Sequence, residues 1–194
     1  MNPMRRIKTI GHSNHAIEHF IALLEAGSVE AVVDVRSVPY SRRFPQFGRE
    51  RLTQSLAARG ILYRYEGAAL GGKPIRGEDY DSLAAKPEFA AALSRLVAGA
   101  AATTLCLMCA EKDPLDCHRT MLVSRRLAER GVAIDHLLAD GTQRSHEAIE
   151  DSLLESSGQS ALDLFTANED RAVRLARAYA QREQAMKRGP GRRK

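Results

Sequence analysis

Thr103–Arg119 reads TTLCLMCAEKDPLDCHR. Its first seven residues form an unbroken apolar and threonine run, as a strand buried on both faces requires. A polar loop follows at once. Asp116 then stands where a helix N-cap would, ahead of a helix expected over Cys117–Arg130 and stopped by Gly131. Strand, loop and helix in this order form half of a βαβ unit.

The same alternation extends in both directions. Upstream, Arg6–Ser13 (RIKTIGHS), Ala31–Ser37 (AVVDVRS) and Ile61–Glu66 (ILYRYE) read as strands, and downstream so does Val132–Ala139 (VAIDHLLA). Helical spacing of apolar residues marks Ala16–Ala26, Gly48–Arg59, Pro87–Val97, His146–Leu154 and Glu169–Met186. Gly27 and Gly60 stand where helix stops are expected. Pro39 and Pro45 mark a loop, and Gly67–Ser82 is long and glycine-rich. The expected fold is α/β: a single-domain three-layer sandwich with a mainly parallel sheet and helices on both faces. Residues 1–155 would form the α/β domain carrying the site, 156–186 a helical extension, and 187–194 a disordered basic tail.

Composition narrows the classes of function. The 194 residues carry 44% apolar side chains, enough for a core without staples. No apolar run nears the roughly 20 residues of a membrane helix, and the N-terminus lacks a signal-peptide apolar region. Three cysteines then suggest a reducing cytoplasm. The net charge is +5, and Lys187–Lys194 (KRGPGRRK) alone holds five positive charges. That tail could hold nucleic acid as a basic arm, but the folded part has no net charge asking for it.

In open parallel sheets ligands bind beyond the carboxyl ends of the strands. Gly11–Asn14 (GHSN), Asp34–Ser37 (DVRS) and Cys109–Glu111 (CAE) should therefore meet on one edge. The expected reactive group is Cys117, with Cys109 as the alternative. A thiol at a helix N-terminus beside a histidine and an arginine is drawn toward thiolate. His12 or His118 would move protons, with Asp34 and Glu111 orienting the cations. Arg119 and Arg36 would hold an anionic group, helped by Ser13, Asn14, Ser37, Gly71, Gly72 and Lys73. Asn14 could equally cap the next helix, and Asp34 and Arg36 could equally form a structural clamp. Cys106 should be core, because it and Cys109 point to opposite faces of one strand. His15, His19, His136 and His146 have weaker claims.

Zinc or iron on Cys109, Cys117, His118 and His12 is the competing expectation. No metal set is assigned, because C-x7-C-H matches no common zinc spacing and consecutive helical residues diverge by about 100°. The expected partner is a small anionic molecule or nucleotide, with no membrane. The expected chemistry is thiol-dependent transfer or hydrolysis. A non-enzymatic module binding nucleic acid or metal is the alternative.

The motifs TIGHSN, VVDVRSVPYSRRFPQF, ALGGKP, LMCAEKDPLDCHR and HLLADG, in this order, resemble the bacterial and archaeal family called domain of unknown function 488. The resemblance runs from Ile7 to about His146. It implies that Gly11, His12, Ser13, Asp34, Arg36, Ser37, Leu70, Gly71, Gly72, Cys109, Glu111, Cys117, His118 and Arg119 belong to one site. It implies no particular reaction. AVVDVRS also resembles the DVR strand of rhodaneses, but the tight cysteine-to-arginine loop of those enzymes is absent after Cys109.

Overall fold

The computed structural model describes residues 6–73, 78–159 and 169–188. Most of the basic tail lies outside them. The chain divides into two compact units, Met1–Ser145 and His146–Lys194.

The first unit begins with β1 (Arg6–Gly11), α1 (Ile17–Ala26) and β2 (Ala31–Asp34). A 3₁₀ turn at Pro45–Phe47 leads into α2 (Arg49–Ala57), β3 (Leu62–Tyr65) and the one-turn α3 (Gly67–Leu70). Then come α4 (Tyr80–Ala84), α5 (Pro87–Gly99) and β4 (Leu105–Cys109). A second 3₁₀ turn at Pro114–Asp116 precedes a π-helical stretch, Arg119–Ser124, that continues as α6 (Arg125–Ala128). β5 (Ala133–Leu137) and the short β6 (Gln143–Ser145) close the unit.

The sheet order is β3-β2-β4-β1-β5-β6. Every pairing is parallel except β5 with β6. This is the expected three-layer α/β architecture. The four residues of β2 and the five of β4 are buried throughout, which explains their continuous apolar composition. Phe20 and Leu24 of α1 and Leu52 and Leu56 of α2 share one core with Ile10, Val32, Cys106 and Met108 of the sheet. Cys106 is thus a core residue on that face, as expected.

Topology creates the site. After β1 the chain moves toward β2 and β3. After β4 it moves the other way, past β1 to β5. β1 and β4 are neighbours, with Gly11 paired to Cys109. Their outgoing loops separate to opposite faces and leave a crevice at the carboxyl edge. Asp34 is in register with Met108, so the end of β2 opens onto the same edge.

Local signals held unevenly. Gly60 (φ 71°) and Gly131 (φ 76°) adopt the left-handed conformation that ends a helix. After α1 that conformation belongs to Ser28 (φ 50°), whereas Gly27 has φ −80°. Gly27 instead gives room to Leu137, whose Cδ1 would lie 3.0 Å from an added Cβ.

The second unit contains α7 (His146–Ser156) and α8 (Arg171–Arg188). Tyr179 on α8 lies with its hydroxyl 3.2 Å from His146 Nε2 and donates to Glu150 at 3.0 Å. Burial pulls the His146 pKa down to about 4. Folded His146 therefore stays neutral while its unfolded counterpart protonates near pH 6.5. The unfolded chain binds the extra proton between these values, so stability is lost as pH falls through that window. His146→Gln should remove this contribution. Lowering the pH from 7 to 4.5 should favour the variant over the parent by roughly 2–3 kcal/mol in urea unfolding. Parallel stability–pH curves for the two proteins would refute the assignment.

Candidate functional site

A cavity of about 870 Å³ opens at the carboxyl edge of the sheet. The polar ends of three strands converge on it, as expected: His12, Ser13 and Asn14 after β1, Arg36 and Ser37 after β2, Cys109 and Glu111 after β4. Gly72, Lys73 and His118 complete the predicted residues on its wall. Tyr40, Arg43, Phe44 and Lys112 also line it. Asp34, Gly71, Cys117 and Arg119 are not on the wall.

The loop after β4 holds the closest cluster. Ligand-type atoms of Cys109, Glu111, Cys117 and His118 all lie within 4.8 Å of one another. This Cys/Glu/His group could hold a metal ion. Both thiols donate toward one oxygen, Glu111 Oε2, each at 3.0 Å. His118 Nδ1 lies 3.5 Å from Cys109 Sγ. His118 Nε2 is 2.8 Å from the Val35 carbonyl, which can only accept, so Nε2 carries a proton and Nδ1 faces the sulfurs.

Local backbone geometry explains this convergence and corrects two expectations. Asp116 does not cap a helix starting at Cys117. Asp113 caps instead, accepting from Leu115 N at 2.8 Å, with Pro114 at the first position of a 3₁₀ turn. Cys117 follows with φ −132° and ψ 135°, extended, before the chain turns helical at His118. The 100° divergence of helical neighbours therefore does not apply, and Cys117 and His118 can both turn toward Glu111. Cys117 still stands at a helix N-terminus, one position earlier than expected: its carbonyl accepts from Thr120 N and Met121 N, and its Sγ accepts from Arg119 N at 3.4 Å. Its fully buried sulfur lies behind the cavity wall, and Cys109 is the thiol that reaches the cavity.

The electrostatics of the cluster are shared. Burial pushes the Cys109 thiol up, with its contacts to Cys117 and Glu111 adding to the shift. Burial opposes ionisation of Cys117 as well, but the hydrogen bond from Cys109 and the charges of Arg119 and His118 draw it down. Glu111 is raised by desolvation and the neighbouring Cys117 charge. His118 is raised despite its burial, through Cys117. Ionisation in the group is thus drawn toward Cys117 and His118 and away from Cys109 and Glu111.

Arg119 takes a different part from the expected anion contact. It is completely buried, and its guanidinium donates to the carbonyls of Glu111 at 2.6 Å and Lys112 at 3.2 Å. It shapes the loop from behind. Gly11 admits that loop: a Cβ there would stand 1.9 Å from Glu111 O. Gly72 packs on His118, where a Cβ would come within 2.2 Å of the imidazole side chain. Gly71 lies against Ser37 and the Gly67 carbonyl, so these glycines act by close packing. Ser37 Oγ accepts from Lys73 N at 3.1 Å and ties the glycine-rich segment to the end of β2.

Asp34 and Arg36 form the structural clamp. Asp34 is fully buried and accepts from Arg36 Nε at 2.9 Å, Arg36 NH2 at 2.6 Å and Tyr63 Oη at 2.8 Å. Arg36 also donates to the Phe47 carbonyl and to His12 Nε2. His12 Nδ1 donates to Ser13 O at 2.9 Å, and its ring stacks on Phe47 at 4.3 Å. Burial, with Arg36 beside it, pulls His12 down to about 4. His12 is therefore neutral with both nitrogens engaged, and it is absent from the thiol cluster. Asn14 does not cap α1, whose N-cap is Ala16; its Oδ1 accepts from Ser13 Oγ. His136 bonds Thr9, and the His15 and His19 rings meet edge-on at 4.8 Å.

Fold and site together define an open parallel α/β protein with a Cys/Glu/His cluster in the crevice where strand order reverses. A family model described as "Domain of unknown function DUF488" matches residues 16–126, and the chain belongs to this family. No curated protein and no solved structure matches the chain.

Proposed function

We propose that the protein is an enzyme that binds a small anionic molecule, a phosphorylated compound or nucleotide by class, in the crevice. The reaction it carries out there is group transfer or hydrolysis at the Cys109–Glu111–Cys117–His118 cluster. One observation carries this reading: a single cavity joins that cluster to a cationic wall of Arg43, Lys73 and Lys112. Among the described residues none of these three cations has an ion-pair partner. Cations left unpaired around a concave site favour an anionic guest. Tyr40, 64% exposed, and Phe44 offer aromatic faces beside them, suited to a base or another flat group. At about 870 Å³ the cavity lies in the size range of small-molecule sites.

Within this reading Lys73 and Arg43 bind the anion, Arg36 holds the wall in place, and the cluster faces the reacting atoms through Cys109, Glu111 and His118. Three free thiols suit a reducing compartment, the cytoplasm. Among the described residues no helix is long and apolar enough to cross a membrane.

The test is calorimetric titration with inorganic pyrophosphate and with ADP at low salt. The Arg43→Ala/Lys73→Ala protein should bind the better of the two about tenfold more weakly than the parent, since two charge-assisted contacts are lost. Equal affinity in the two proteins, or no binding of either probe to the parent, would overturn the anionic-substrate reading.

A further inference from the structure

The Cys109–Cys117 loop has features that anion binding does not require. Two sulfurs, an imidazole nitrogen and a carboxylate oxygen converge from one ten-residue segment, and both thiols bond one carboxylate oxygen. We propose that Cys109, Glu111, Cys117 and His118 bind one divalent transition-metal ion of the zinc class at the wall of the cavity. The inference rests on the reading of this cluster as the reaction centre, and names what holds it together.

Four observations support it. First, the donor set is right. Two thiolates, one imidazole and one carboxylate suit a borderline ion such as zinc, whereas magnesium and calcium take oxygen ligands. Second, the spacing is right. Tetrahedral bonds of about 2.0–2.3 Å put neighbouring donor atoms about 3.3–3.8 Å apart. Three of the six separations are 3.0 Å for each sulfur to Glu111 Oε2 and 3.5 Å for Cys109 Sγ to His118 Nδ1, and the other three lie within 4.8 Å. Admitting the ion takes an outward shift of the carboxylate of Glu111, an exposed residue, and an inward turn of the side chains in the widest pair, which lies within 4.8 Å.

Third, the ligands have the outer partners that metal ligands need. His118 donates Nε2–H to a buried backbone carbonyl, Val35 O, which leaves Nδ1 as the coordinating atom. The Arg119 backbone N–H donates to Cys117 Sγ at 3.4 Å. Gly72 packs against the His118 side chain and limits its freedom to turn away. Fourth, the two sides of the cluster differ. Cys117 is sealed behind the wall, while Cys109, Glu111 and His118 face the cavity. An ion held there presents one side to a guest, and Glu111 is the ligand placed to yield a position to water or substrate. On binding, any proton remaining on a thiol and any proton on His118 Nδ1 leave to solvent; no electron is transferred.

The probe is Co²⁺, added anaerobically to reduced full-length protein purified without a metal-affinity step. One equivalent should produce thiolate-to-cobalt charge-transfer absorption and tetrahedral visible bands, and one equivalent of Zn²⁺ should abolish both. Cys109→Ser and Cys117→Ser should each lose most of the charge-transfer intensity, and Cys106→Ser should keep it. Glu111→Gln, altered at an exposed residue, should fold, keep the thiolate absorption, shift the visible bands and bind Co²⁺ at least tenfold more weakly. Folded parent protein without the charge-transfer absorption would overturn the proposal. So would a spectrum and affinity unchanged in Glu111→Gln, which decides the matter if the cysteine variants do not fold. The anion titration with Arg43 and Lys73 variants reads a separate property. Metal binding without anion binding would overturn the substrate class alone, and anion binding without metal would overturn the metal centre alone.

Discussion

Asp34→Asn is expected to destabilise the protein by about 3–5 kcal/mol, the cost of breaking a buried ion pair from one side. Asp34 is fully buried and Arg36 is 5% exposed. The carboxylate takes two guanidinium bonds, the Arg36 backbone N–H at 3.1 Å and the Tyr63 hydroxyl. An amide in its place offers one oxygen where two were used and turns an NH₂ toward another donor. The Arg36 charge then keeps only neutral partners, Phe47 O and His12 Nε2. Removing the charge as well should recover much of the loss, so Asp34→Asn/Arg36→Met should be more stable than Asp34→Asn. A double-mutant cycle in urea should give a coupling of about 1–3 kcal/mol. A single-variant loss below about 1 kcal/mol, the scale of an exposed pair, would show that the clamp does not hold the edge of the sheet.

Arg119→Ala should cost a comparable amount, about 4–5 kcal/mol, by a different route. Two hydrogen bonds from a charged group disappear, each contributing about 1.5–3 kcal/mol, and a void is left at a site with no exposure. The effect should be concentrated in the loop that carries the cluster, because the lost acceptors are Glu111 O and Lys112 O. Hydrogen exchange should therefore accelerate most over residues 110–117. Arg119→Lys should keep part of the stability, since an ammonium provides charge without a planar fork for two carbonyls. An arginine that contacted substrate would behave in the opposite way, weakening anion binding while leaving stability and exchange nearly unchanged. That pattern would refute the clamp.

The residues differ in how openly they declared these roles. AVVD and LCLMC were legible as buried parallel strands because continuous β-prone apolar runs have few alternatives in a chain this polar. Their order, with helices between, led to the carboxyl-edge rule, and GHSN, DVRS and CAE do meet there. β6 was not legible. Gln143–Ser145 is polar and only partly covered, and it exists as a strand because a turn through Gly141 (φ 86°) folds it back on β5. The π-helical start of the Arg119 segment likewise has no marker in composition. The extended Cys117 did have one: Asp113-Pro114 is an N-cap followed by a proline at the first helical position, and it competes with Asp116 as the start of the turn.

The sequence alone was enough to establish the architecture, the edge of the sheet where the cavity opens, and most of the polar side chains that line it. These follow from periodicity, β-branched runs and turn residues, which act over a few positions and do not need the rest of the chain. What each side chain does was decided only by the tertiary structure. Asp34 and Arg36 became a clamp, His12 a neutral support, Arg119 a brace for a loop, and Glu111 the link between two thiols. The reason is physical: a buried charged or polar group must find partners, and sequence does not show whether these are near neighbours, as Arg36 is for Asp34 and Glu111 O for Arg119, or come from segments tens of residues away. Val35 O anchors His118 and Arg36 occupies His12 across such distances. Local sequence can show that a carboxylate or an arginine lies in an apolar setting, but which of its possible partners it takes, and so its role, is settled by the folded backbone.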